Sequence, residues 1–175
     1  MPEIVLDVNG SAVTVDIAAD ETLLYTLRDR LGLRSVRYCC GIGVCGTCSV
    51  LVDGRPGSSC LALAALVGER PVRTAEGLDP DGPVARAFVE HSAFQCSSRI
   101  PGMVVTATGV LQGDPEIDAS HLREALGGNL CRCGSYPQVV EALVKATSPG
   151  PGASPPPSAR GPGPVSLTDA TEADR

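Results

Sequence analysis

Four cysteines, Cys40, Cys45, Cys48 and Cys60, constrain this chain more than anything else in it. Cys40-x4-Cys45-x2-Cys48 puts three thiols in one loop, and Cys60 adds a fourth from a neighbouring segment. That is the spacing of a plant-type [2Fe–2S] site, in which four thiolates converge on two irons. Gly41, Gly43 and Gly46 interleave with the thiols, as a backbone needs when it curls tightly and aims N–H groups at sulfur.

The loop also matches a second pattern by letter. Gly41-Ile42-Gly43-Val44-Cys45-Gly46 carries the glycines of the GxGxxG dinucleotide fingerprint. That fingerprint needs a helix directly after the glycines to hold a pyrophosphate. Here Cys48-Ser49-Val50-Leu51-Val52-Asp53-Gly54 reads as a strand and turn, so the nucleotide reading is rejected. Zinc tends to take two Cys-x2-Cys knuckles, and only Cys45/Cys48 has that form. A zinc-binding interaction module would be colourless, whereas an iron–sulfur protein is red-brown. Cys39 is surplus to a four-ligand site and is read as a small packed thiol.

The chain holds 8 cysteines in 175 residues, so their compartment matters. Met1-Pro2-Glu3-Ile4-Val5-Leu6-Asp7 is acidic where an export signal is basic. No stretch approaches the ~20 apolar residues of a membrane span. A cytoplasmic chain is expected, with reduced thiols that serve metal binding rather than disulfides. Export in folded form, on a partner that bears a signal, stays open. A formal charge of -6 with no basic run argues against nucleic acid.

Around the loop the chain reads as α+β. Ile4, Leu6 and Val8 share one strand face, Asn9-Gly10 makes a type I′ turn, and Val13, Val15 and Ile17 return. Asp20 is expected to cap a helix with Leu24, Leu27 and Leu31 inward, ended by Gly32. Ser49 to Val52 reads as a strand closed by Asp53-Gly54, and Val72-Arg73-Thr74 as another. After about residue 77 the apolar period becomes helical. Stripes at Val84, Ala87 and Phe88, at Val104, Ala107 and Leu111, at Leu122, Ala125 and Leu126, and at Val140, Leu143 and Val144 predict four helices. Pro101 and Pro137 open the second and fourth, and Gly127-Gly128 stops the third. From Ser148 the composition collapses to Pro, Gly, Ser and Ala, which predicts a disordered tail.

Several ordered motifs are similar to the iron–sulfur subunit of the xanthine oxidase type of molybdenum hydroxylases. Members include the small subunits of carbon monoxide dehydrogenase, aldehyde oxidoreductase and isoquinoline oxidoreductase. The resemblance covers residues 2–147. It rests on Arg37-Tyr38-Cys39-Cys40-Gly41-Ile42-Gly43-Val44-Cys45-Gly46-Thr47-Cys48, Ser59-Cys60-Leu61 and Thr74-Ala75-Glu76-Gly77-Leu78. Phe94-Gln95-Cys96, Pro101-Gly102-Met103 and the run from Asn129 to Pro137 complete it. The resemblance implies a β-grasp ferredoxin domain over 1–77, a four-helix domain over 78–147, and the tail over 148–175. It implies a second [2Fe–2S] cluster as well, taking electrons from a molybdopterin held by a separate large subunit. The first cluster then passes them outward to a flavin or another acceptor.

Cys96, Cys131 and Cys133 match three of the family's four ligands for that second cluster, and Gln95 matches its pterin-contacting glutamine. The fourth position holds Arg99, in Cys96-Ser97-Ser98-Arg99, where the family has Cys. A guanidinium stays protonated and offers no lone pair. Three outcomes are open: a cluster completed by an oxygen such as Ser98, no inner cluster, or a diverged partner that no longer needs the usual relay. His91 and His121 each lack a neighbouring nucleophile or carboxylate arrangement and read as surface or interface residues. The expected function is an electron-transfer subunit of a molybdenum-dependent hydroxylase or dehydrogenase. The alternative is a diverged one-cluster accessory subunit with a degenerate inner site.

Overall fold

Two tight turns set the sheet. Asn9 and Gly10 both have positive φ, 55° and 82°, the type I′ geometry whose twist matches paired strands. Strand β1 (Glu3–Val8) therefore returns as β2 (Ser11–Asp16), with Glu3 opposite Asp16 and Val8 opposite Ser11. Asp53 and Gly54, at 53° and 74°, make the same turn between β3 (Ser49–Val52) and β4 (Arg55–Ser58). Strand β4 escapes a reading of alternation because Arg55-Pro56-Gly57-Ser58 has none. It forms at the sheet edge, where Pro56 needs no N–H. The short β5 (Val72–Arg73) lies parallel to β1 and antiparallel to β3, giving the order β2-β1-β5-β3-β4. This computed structural model describes residues 3–147, so the expected tail lies outside the described residues.

Helix α1 (Leu23–Tyr25) continues as a π turn over Thr26–Arg30. Its cap is Thr22 and not Asp20: the Thr22 hydroxyl accepts from the Tyr25 N–H at 3.3 Å. The chain first turns back on itself, with Glu21 N–H donating to the Ala18 carbonyl, so the helix starts later than expected. Leu24 and Leu27 are buried as expected, in a core with Leu6, Ile17 and Val50, and Gly32 leaves the helix at φ 71°.

Glu21 ties this turn together. Its side chain is 6% exposed and takes a two-pronged grip from Arg30, at 2.7 Å from Nε and 2.6 Å from Nη2. The Thr26 hydroxyl donates to it at 2.8 Å. The Arg30 hydrogen bonds, outweighing burial, hold the carboxyl below its ordinary 4.5. A depressed folded-state value means stability that is complete above about pH 4.5 and lost as pH falls through the folded value. Glu21→Gln is expected to cost about 2 kcal/mol at pH 7. Urea unfolding from pH 7 to 3 checks this, and the gap to wild type should close with acid.

Four helices follow: α2 (Pro83–Glu90), α3 (Ile100–Gly113), α4 (Ala119–Leu126) and α5 (Tyr136–Thr147). Phe88, Met103, Leu122, Leu126 and Leu143 meet in a second core. Pro101 and Pro137 sit in the first turns rather than opening them, since Ile100 and Tyr136 come first. Helix α3 buries a second face besides the one expected of it. The expected stripe does face the helical core, with Ala107 in it and Val104 and Leu111 partly buried against it, and Met103 joins them. Its small residues face the other way: a Cβ on Gly109 would press against Leu51 and Pro56 of the sheet. Helix α3 is thus the layer that joins helices to sheet. Among the described residues no helix is long and apolar enough to cross a membrane.

Candidate metal centres

The loop before β3 curls through three left-handed glycines, Gly41, Gly43 and Gly46, at φ 69°, 74° and 64°. Cys45, Cys48 and Cys60 are buried and Cys40 is half-buried. Ser59 fixes the fourth thiol's segment, donating to the Cys48 carbonyl from its N–H at 3.3 Å and from its hydroxyl at 2.7 Å.

The four thiols converge: Cys45 interacts with Cys40, and Cys60 with Cys48 and, more weakly, with Cys40. Burial pushes the Cys45 thiol up, but the Thr47 hydroxyl and the Thr47 and Cys40 backbone outweigh it and bring it to about 6. Burial, then the neighbouring Cys48 sulfur, pushes Cys60 up to about 11. The Thr47 hydroxyl is wholly buried without a hydrogen-bond partner, near enough to the Cys45 sulfur to lower the pKa of that thiol. Among the described residues, no three of these four sulfurs gather in one compact group. Four converging thiols with no compact group of three suit two irons, two thiolates each, better than one tetrahedral zinc. The outer residues fit a [2Fe–2S] cluster.

The second group is built differently. The Sγ atoms of Cys96, Cys131 and Cys133 all lie within 4.8 Å of one another. Burial raises the Cys96 thiol, yet the Arg99 and Ser98 N–H groups and the other two thiols bring it below its ordinary value. The Tyr136 hydroxyl pins the second segment, accepting from Cys131 N–H at 2.6 Å and donating to the Asn129 carbonyl at 2.7 Å. Asn129 Nδ2 donates to the Gly46 carbonyl at 2.9 Å, and Leu130 N–H to the Cys45 carbonyl at 3.0 Å. The two thiol groups are therefore held on one rigid seam. The roles of Asn129 and Tyr136 are not legible in the sequence alone; an amide and a phenol flanking paired cysteines are the available signal.

Arg99 stands on the fourth position, at the N-cap of α3. Its Nε donates to the Leu130 carbonyl at 2.9 Å, Nη1 to Ser98 Oγ at 3.1 Å, and Nη2 to Cys39 Sγ at 3.3 Å. Burial lowers its basicity, but the thiols of Cys39, Cys45 and Cys96 raise it further, so it stays a cation. Cys39 is accordingly exposed and engaged by Arg99, not a packed thiol. Three sulfurs and a guanidinium do not fit a second four-thiolate cluster.

Gln95 is exposed beside Cys96, next to the exposed Phe94. His91 is exposed. His121 has a carboxylate partner that its sequence context does not announce, with Nδ1 3.0 Å from Asp118 Oδ2. Asp118 caps α4; the His121 N–H and the Ser120 hydroxyl hold its carboxyl well below the usual range. Both side chains are more than half exposed, so the pair is a helix cap.

Comparison with known proteins matches residues 6–73 to a 2Fe-2S iron-sulfur cluster binding domain and residues 74–144 to a [2Fe-2S] binding domain. The nicotine 6-hydroxylase small subunit of Paenarthrobacter nicotinovorans is 42% identical over 147 residues, 82% of this chain and 88% of that one. One of the subunits of nicotinate dehydrogenase from Pseudomonas putida is 38% identical over 144 residues, 81% of this chain and 92% of that one. Among solved structures, quinoline 2-oxidoreductase from Pseudomonas putida 86 superposes with a TM-score of 0.78 at 33% identity, covering 83% of this chain and 93% of that one. Aldehyde oxidoreductase from Desulfovibrio gigas gives 0.79 at 32% identity, covering 84% of this chain but 17% of that larger one.

Proposed function

Because this chain belongs to the family of small iron–sulfur subunits of molybdenum hydroxylases, we propose that it carries electrons from a molybdopterin-bearing large subunit to a flavin or another acceptor. The observation that carries this is the convergence of Cys40, Cys45 and Cys48, in a loop of left-handed glycines, with Cys60 from the neighbouring segment. A [2Fe–2S] cluster bound there supplies one-electron chemistry. The protein's part is placement and tuning. Cys40, Cys45, Cys48 and Cys60 hold the irons, and the turns at Gly41, Gly43 and Gly46 let backbone N–H groups face the sulfurs. Thr47 offers its hydroxyl to the Cys45 sulfur, favouring the thiolate.

The exposed apolar side chains support partners at two places. Ile42, Val44 and Leu61 stand out around the outer loop, where an acceptor would dock. Phe94 and Leu130 stand out beside the second thiol group, and Gln95 there would meet the pterin. We place the break between the ferredoxin-type and four-helix domains at residue 77/78, and the chain in the cytoplasm.

The test is anaerobic addition of oxidisable substrate to the chain purified with its large subunit. A panel of nicotine, nicotinate and isoquinoline follows the names of its relatives. The reading expects one of them, or dithionite in their place, to bleach the chain's visible absorption. A chain that stays unbleached while the large subunit is reduced contradicts it.

A further inference from the structure

We propose that the Cys96–Cys131–Cys133 pocket is a three-thiolate site for a single Zn²⁺ ion, not for a second cluster, with Arg99 as its fixed counter-charge. This goes beyond the electron-carrying role, which stands on the outer four cysteines alone.

The sulfur geometry separates the two possibilities. Neighbouring sulfurs around one tetrahedral ion with bonds of about 2.3 Å stand about 3.8 Å apart. In a two-iron cluster, thiolates on opposite irons are separated by the whole iron pair, and only thiolates on the same iron approach so closely. Three sulfurs mutually within 4.8 Å are therefore placed to hold one metal. Among the described residues no three of the outer four gather so closely, which is the other pattern within the same molecule.

The donor count points the same way. A second cluster needs two protein donors on each iron, and only three thiols converge here. The three guanidinium nitrogens of Arg99 donate to Leu130, Ser98 and Cys39. Ser98 Oγ is the acceptor of one of those bonds, and Cys39 lies outside the three-sulfur group. One Zn²⁺ displaces three thiol protons to solvent, leaving a site of charge −1 with a water on the open position. Arg99 then supplies the matching positive charge at its edge, in the field of the Cys96 thiolate. No oxidant or reductant is needed.

The test is iron, acid-labile sulfide and zinc per chain in the full complex, purified without added metal, with zinc X-ray absorption. The expected result is about two irons, two sulfides and one zinc, the zinc with three sulfur neighbours at about 2.3 Å. Cys131→Ser should lose the zinc and keep the iron. Arg99→Cys, which restores a fourth thiol, should exchange the zinc for iron and raise the count to about four irons. Four irons in the unaltered chain overturn the proposal, as do two irons with no zinc. Absence of iron altogether would instead sink the electron-carrying reading, so the two failures are distinct.

Discussion

Gly46→Ala is expected to strip the outer centre of iron and to destabilise the chain by about 3–4 kcal/mol. Gly46 answers two requirements that an amino acid with a Cβ cannot meet together. Its φ of 64° lies in the left-handed region, which costs a residue with a Cβ about 1–2 kcal/mol. The added Cβ would also collide with the Gly128 carbonyl and with Asn129. A carbonyl cannot rotate away as a side chain can, so the seam between the thiol groups has to open. Helix α3 presses from a third side, since a Cβ on Gly102 would strike the Gly46 carbonyl. Gly54→Ala is the control: its φ is 74°, but nothing lies within 4 Å of a Cβ there. It should show the backbone cost of about 1–2 kcal/mol and keep its iron. Urea midpoints and iron content of the two variants check this; equal losses would mean the contact at the seam is unimportant.

Cys48→Ala is expected to abolish the outer centre outright, taking iron at that site from about two per chain to none. Removing one thiolate leaves an iron with a single protein ligand. No nearby thiol can substitute, because Cys39 is held by Arg99. Cys48 and Cys60 also belong to the apolar core beneath the sheet. Loss of the metal leaves the Cys60 thiol, which resists ionisation, in that core without a partner. The variant should therefore be colourless and also unfold earlier. Cys39→Ser, whose exposed thiol is not one of the four, should keep its colour. Visible absorption and iron analysis distinguish them.

What could be read from residues alone was whatever is decided locally. Asn9-Gly10 and Asp53-Gly54 announce their turns because left-handed backbone at two successive positions selects those residues. The four-cysteine loop is legible because a metal centre dictates ligand spacing and glycine placement together. The α+β class followed from the change of apolar period near residue 77. What stayed hidden depends on contacts distant in sequence. Strand β4 has no alternation and forms because a hairpin delivers it to β3. Helix α3 has two buried faces, and its stripe announces only the helical one, while Gly109 marks the sheet side. The Arg99–Cys39 contact joins residues 60 apart, and Asn129–Gly46 residues 83 apart. Arg99 could be placed on a ligand position by comparison of motifs, but only the fold shows that its guanidinium turns to the first loop.

The measurement that tests the central claim most directly is a spin count by electron paramagnetic resonance on the dithionite-reduced chain in its complex. The account predicts a [2Fe–2S] signal of about one spin per chain, absent from Cys48→Ala. No signal, or one that survives in Cys48→Ala, would contradict it.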